Sequence, residues 1–229
     1  MSQNLSKRII TSIILLSLLF FINFAHQYIF IFSILFLGII ICVEANNLFS
    51  KLLNKKNTKN VFFFEKFNSK LLILNIITFC YVFFIFCNFS YKIHISESPV
   101  IFLYIISVCF FTDIGGYIFG KIIGGKKLSK ISPNKTISGT VGSFILSLVP
   151  LILILNFDFL DLELNLKNLV FCLLISLISQ LGDLFISFIK RKAKIKDTGN
   201  LLPGHGGALD RLDGIIFAVP FSYFLLKFI

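Results

Sequence analysis

Residues 187–213 read SFIKRKAKIKDTGNLLPGHGGALDRLD, a polar, glycine-punctuated and charge-dense stretch between two apolar runs of membrane-spanning length. It carries the cations Lys190, Arg191, Lys192, Lys194, Lys196 and Arg211, the carboxylates Asp197, Asp210 and Asp213, and His205 between glycines. Carboxylates hold Mg2+ through oxygen while Lys and Arg neutralise phosphate oxygens, so this mixture suggests a metal ion and phosphates together. A purely solvated loop has little need of both. The rest of the chain then reads as the bundle that holds this loop in place.

Composition agrees with that frame. With 229 residues, 56% hydrophobic, 16% aromatic, 14% charged and a mean hydropathy of +0.91, the chain is too apolar for an ordinary water-soluble domain. The expected fold is all-α, a polytopic transmembrane helical bundle of about seven spans, with six to eight as the range. Candidate spans are residues 8 to 25, 28 to 45, 71 to 90, 99 to 119, 138 to 156, 168 to 189 and 212 to 229, each close to the ~20 residues that cross ~30 Å of hydrocarbon. The first and last are short. Lys7 and Arg8 precede an apolar run with no small-x-small cleavage site after it, so an uncleaved first span is expected rather than a signal peptide. One membrane domain covers residues 1–229, with spans in 8–90 as scaffold and 99–229 as the catalytic half. Five cysteines lie inside apolar runs without a C-x-x-C pair and read as small hydrophobes.

Charge sets the orientation. If seven spans alternate from a cytoplasmic N-terminus, four loops on one side hold 19 of the 22 Lys and Arg residues, leaving Lys92, Lys167 and Lys227 for the other. The positive-inside tendency makes the basic side cytoplasmic. The loop with Asp158, Asp161 and Glu163 falls on the opposite face. Residues 46–70, with Val61-Phe62-Phe63-Phe64 between lysines, read as a cytosolic connector or an interfacial helix on anionic headgroups. Nucleic acid is a poor partner, because the bases are divided among four loops at a membrane face.

Asp113 places an acid within an apolar span, at a cost of ~2.5 to 3.5 kcal/mol if unpaired, so it should face a cavity or a partner. Gly116, Gly120 and Gly124 recur every four residues and would bare one helix face for close packing, if the helix continues that far. Gly120-x-x-x-x-Gly125-Lys126-Lys127 is a near miss to a P-loop, discounted because Lys127 replaces the Ser or Thr and a membrane helix precedes it. Ser132-Pro133-Asn134-Lys135-Thr136 opens the fifth span, where Pro133 should stop the preceding helix. The hydroxyls, free amides and Lys135 there suit either an anion seat or a plain cap with a snorkelling lysine. Asp183, Ser187, Lys190 and Arg191 share a helix face at i, i+4, i+7 and i+8, as a buried ion pair or a site would. Asp210 and Asp213, at i and i+3, would bring two carboxylates toward one point for shared Mg2+. Glycines at 204, 206 and 207 allow close backbone approach to phosphate and display His205.

Ser187, Lys190-Arg191, Lys196-Asp197, Gly199, Leu202-Pro203, His205-Gly206-Gly207 and Asp210-Arg211-x-Asp213 resemble, in order and spacing, the signature of the phosphatidate cytidylyltransferase (CDP-diacylglycerol synthase) family. Ser132, Pro133, Lys135, Thr136 and Gly139 resemble its second block, and Asp113 with Tyr117 a further element. Ala208, Ile114 and Ile137 depart from the usual residues. The resemblance implies transfer of CMP from CTP to phosphatidate, giving CDP-diacylglycerol and pyrophosphate, in phospholipid biosynthesis. It implies Mg2+, with a second cation open, held among Asp113, Asp183, Asp197, Asp210 and Asp213. Asp197, Asp210, Asp213 and His205 stand as catalytic candidates, with His205 a donor to phosphate. Ser132, Lys135, Thr136, Lys190, Arg191, Lys196 and Arg211 stand as substrate-binding candidates. CTP, phosphatidate and membrane lipids are the expected partners, a homodimer is left open, and the expected location is a bacterial inner membrane with the site facing the cytoplasm. Phosphatidate brings its own ionised nucleophile, so positioning and charge neutralisation suffice. A polyprenol kinase, an ether-lipid cytidylyltransferase and a transporter are the alternatives; charges gathered at one face and the lack of an inverted repeat argue against the last.

Overall fold

The computed structural model describes residues 2–53, 69–129, 132, 135–157, 164–201 and 206–228. Among these, the helices are α1 (Ser2–Phe24), α2 (Gln27–Leu53), α3 (Ser69–Glu97), α4 (Pro99–Ile122), α5 (Ile137–Leu146), α6 (Val149–Phe157), α7 (Leu166–Lys192), α8 (Leu209–Leu212) and α9 (Ile215–Leu225). An isolated bridge joins Lys127 to Thr136, and no strand forms among the described residues. The all-α polytopic membrane bundle expected from composition is what forms. Five helical stretches are long and apolar enough to cross a membrane: α2, α3, α4, α5 with α6, and α7. Helix α1 runs through 23 residues, and the last helix, α9, is shorter than expected at eleven. Outward faces carry Phe32, Ile122 and Phe185, exposed as lipid contact requires, while Phe30, Ile41, Leu48, Phe86, Ile105 and Ile175 fill the centre.

Local chemistry sets the helix ends. Pro99 starts α4 and the Ser98 hydroxyl caps it, accepting the Ile101 amide at 3.1 Å. The fifth span is broken at Ser147 and Leu148, because Pro150 has no amide to offer the preceding turn. Helix α7 ends in a left-handed turn at Lys194 (φ 58°), where the Ile195 amide reaches the Lys190 carbonyl at 3.0 Å. Pro220 stands inside α9 and leaves the Ile216 carbonyl without its usual donor. The Tyr81 hydroxyl of α3 donates to that carbonyl at 3.1 Å.

Two sequence expectations are corrected here. Helix α4 ends at Ile122, well before Pro133, and the chain turns through Gly124 and Gly125 at φ 64° and 100°; glycine, and not proline, ends the helix. The bare helix face is therefore Gly115, Gly116 and Gly120, with Gly124 beyond it. It packs on α5: a methyl at Gly115 would overlap the Gly142 carbonyl, and one at Gly139 would lie 2.7 Å from the Gly116 carbonyl oxygen. The Ser143 hydroxyl donates to the Thr112 carbonyl at 2.8 Å across this seam. Asp113 and the Lys135-Thr136 segment are thereby held side by side.

The second close crossing joins α7 to the start of α9. A methyl at Gly182 would lie 2.8 Å from the Asp213 carbonyl oxygen, and one at Gly214 would meet the Ser179 hydroxyl and carbonyl. Basic helix ends gather at the same end of the bundle as these crossings. At the other, the ammonium groups of Lys92 and Lys227 both lie over the Tyr223 ring, 5.7 and 4.7 Å from its centroid.

Candidate active site

Asp183 lies one residue after Gly182, and Asp213 one before Gly214, so the close crossing brings their carboxyl groups side by side. Lys135, from the turn ahead of α5, forms an ion pair with Asp183, and the Ser187 hydroxyl donates to Asp183 at 3.1 Å. Asp113 lies within electrostatic reach of Asp183, Asp213, Lys135 and Arg211. Four separate segments thus converge on one point.

The Lys190 ammonium sits where the sequence places a cation shared by Asp210 and Asp213. It donates to Asp210 at 2.8 Å and stands 4.0 Å from Asp213. The other oxygen of Asp210 accepts the amides of Thr198 at 2.8 Å and Gly207 at 3.0 Å. Burial alone would raise the Asp210 carboxyl, but the Lys190 ammonium and these amides hold it below the usual carboxylate range. Asp210 is thus spent on closing its own loop, while Asp213 turns toward Asp183. Gly206, at φ 84°, leaves room there: a side chain would come within 3.0 Å of Asp210 and 3.3 Å of Asp197.

Other candidates sit further out. Asp197, Lys196 and Arg191 are exposed, and the Arg191 guanidinium bends to the Ile195 carbonyl at 3.4 Å. Arg211 is exposed on α8 with Asp113 within its electrostatic reach. Thr136 caps α5, its hydroxyl accepting the Gly139 amide at 3.1 Å and lying 3.0 Å from the Ser138 hydroxyl. Ser132 sits in the turn before Lys135, whose amide reaches the Ser132 carbonyl at 3.0 Å. His205 lies outside the described residues.

A residue the sequence reading passed over is Glu44 of α2. It is buried and accepts the Thr198 hydroxyl and the Ala208 and Leu209 amides, each at 2.9 Å. The signal was present: Glu44 stands in an apolar run as Asp113 does, and the same insertion cost applies to it.

Among the described residues, no three His, Cys, Asp or Glu side chains come close enough to enclose a metal ion. The donor chemistry still suits Mg2+, which uses one or two carboxylates together with waters and substrate phosphates. Asp183 and Asp213 offer two such carboxylates side by side, with Lys135 on the one and Lys190 4.0 Å from the other.

These features define a polytopic helical membrane protein with paired acids and flanking bases built between helices at one end of its bundle. The chain belongs to the cytidylyltransferase family, whose profile matches residues 52–229. It is 45% identical over 133 residues to the phosphatidate cytidylyltransferase of Staphylococcus saprophyticus, covering 57% of this chain and 50% of that one. Against its counterpart in Staphylococcus haemolyticus it is 46% identical over 127 residues, 54% of this chain and 48% of the relative. For Bacillus subtilis the figures are 45% over 121 residues, 50% and 43%. The chain therefore spans about half the length of the curated relatives it matches.

Proposed function

We propose that this protein is a CTP-dependent phosphatidate cytidylyltransferase. A phosphate oxygen of phosphatidate attacks the α-phosphorus of CTP, the bond to the bridging β-phosphate oxygen breaks, and pyrophosphate leaves with that electron pair. The observation that carries this reading is the pairing of Asp183 with Asp213, with Asp113, Lys135, Lys190 and Arg211 around it, in a chain 45% identical over 133 residues to a protein named phosphatidate cytidylyltransferase. The lipid phosphate is already ionised, so the site needs no Ser or Cys nucleophile, and none is required of it.

The roles divide by position. Asp183 and Asp213 would hold Mg2+, which would supply neutralisation of phosphate charge when bound, with Asp113 within electrostatic reach of both. Lys135 and Arg211 flank those acids and meet phosphate oxygens, and Thr136 and Ser132 line the same turn. Lys190 and Asp210 keep the loop closed, and Arg191, Lys196 and Asp197 lie at its exposed rim. The basic end faces the cytoplasm, the compartment that holds CTP, with the N-terminus on the same side.

Purified protein, CTP labelled at the α- or γ-phosphate, and phosphatidate vesicles with and without Mg2+ test this directly. Label from the α-position entering lipid, only with Mg2+, is the expected result. Label from the γ-position entering lipid instead makes the protein a lipid kinase and overturns the reading.

A further inference from the structure

Glu44 lies outside the stretch matched by the family profile, on a helix that the sequence reads as scaffold. Only 5% of it is exposed. Its three partners come from both feet of one loop: the Thr198 hydroxyl where the loop leaves α7, and the Ala208 and Leu209 amides where it enters α8. The loop is shaped to admit this carboxylate. A methyl at Gly199 would lie 2.8 Å from its Oε1, and one at Gly207 would overlap its Oε2.

The two amides belong to the first turn of α8, the turn that presents Asp210, Arg211 and then Asp213. A carboxylate receiving those N–H groups fixes the turn about its axis, as a capping side chain does. Asp210 stitches the same loop from within, through the Thr198 and Gly207 amides. Without Glu44 that stitch would hold the loop to itself and to Lys190, but not to α2.

We infer that Glu44 is a positioning residue: it sets the orientation of the turn bearing Arg211 and Asp213, and so the contact of Asp213 with Asp183. Helix α2 then serves the site and is more than scaffold. Both Glu44 oxygens are taken up by loop donors, so it acts on kcat through geometry, where a displacement of about 1 Å costs up to ~100-fold. The kinetic side of this inference rests on the cytidylyltransferase reading, and the amide side does not.

Glu44→Gln keeps the shape and points an amide N–H at backbone N–H donors, leaving at least one unpaired. Two measurements on the detergent-solubilised full chain decide the matter. Hydrogen exchange at the Ala208 and Leu209 amides should speed up by about 10-fold or more in Glu44→Gln, with α4 and α5 amides unchanged. In the CTP and phosphatidate assay kcat should fall by about 10-fold or more while KM for CTP moves by less than about twofold. Thr198→Val, which removes one of the three bonds, should give a smaller loss in the same direction. Unchanged exchange overturns the inference whether or not the wild type turns over. An active wild type whose Glu44→Gln variant matches it in kcat also overturns it, as does a kcat loss accompanied by faster exchange throughout the bundle. A wild type inactive on these substrates refutes the proposed activity alone, and the exchange result still decides the tether.

Discussion

Asp183 and Asp213 meet carboxyl to carboxyl because the backbones beside them nearly touch, Gly182 against the Asp213 carbonyl and Gly214 against Ser179. A side chain at either position would force its neighbours to shift, so the acid pair is a product of glycine packing as much as of the acids. Gly182→Ala tests this. Its methyl would lie 2.6 Å from Phe217 and 2.8 Å from the Asp213 carbonyl oxygen. The gain in helix propensity of ~1 kcal/mol offsets part of an overpacking cost of ~1–3 kcal/mol, so the unfolding temperature should fall only slightly. Turnover should fall by about 10-fold or more, since the pair is forced apart. A variant with full activity would separate the acid contact from function.

Asp213→Asn removes charge from a pair of like charges. Asparagine keeps the shape and the oxygen that accepts the Gly214 amide, so thermal unfolding in detergent should stay level. Turnover should nonetheless drop by about 100- to 1,000-fold, the scale for losing a group that stabilises developing charge. Activity within a few-fold of wild type would remove Asp213 from the reaction.

Lys190 has a side chain only 9% exposed and sits against an Asp210 side chain only 5% exposed. Removing one partner of a buried pair costs ~3–5 kcal/mol, and the two amides that Asp210 keeps place Lys190→Met near the lower end. Denaturant unfolding should show that loss, and Lys190→Arg, which retains the charge, should recover most of it.

The pH dependence of the loop follows from Asp210. Its carboxyl is held below the ordinary value, so the folded state favours the ionised form. The contribution is fully present above the unfolded value of about 3.9 and is lost as pH falls through the lower folded value. Exchange protection at the Thr198 and Gly207 amides, corrected for intrinsic rates, should be flat from neutral pH down to about 4 and collapse below that. In Asp210→Asn the acid step should vanish; a transition near neutrality in the wild type would contradict the assignment.

Much of this architecture was legible in the chain itself. Apolar runs gave the helices because a bilayer leaves no other way to satisfy the backbone, and Asp113 and Asp183 stood out as acids inside them. Lys92 and Lys227, assigned to one face by charge counting, meet over Tyr223. Spacing at Asp210 and Asp213 says that two groups are near and not what lies between them; Lys190 stands 2.8 Å from the one and 4.0 Å from the other. Glu44 was passed over since its partners, Thr198 and Ala208, lie more than 150 residues away and no local pattern links them. The end of α4 was misplaced for a simpler reason: proline signals a stop loudly, while the left-handed Gly124 and Gly125 had already made one.

Tyr81 and Pro220 are bound together by an oxygen that neither owns. The hydroxyl is needed only because the ring nitrogen cannot serve the Ile216 carbonyl, and in hydrocarbon an abandoned carbonyl is costly. Phenylalanine at 81 should therefore harm this chain and become harmless once position 220 regains an amide. Two distant sites that share one such debt are free to drift only as a couple.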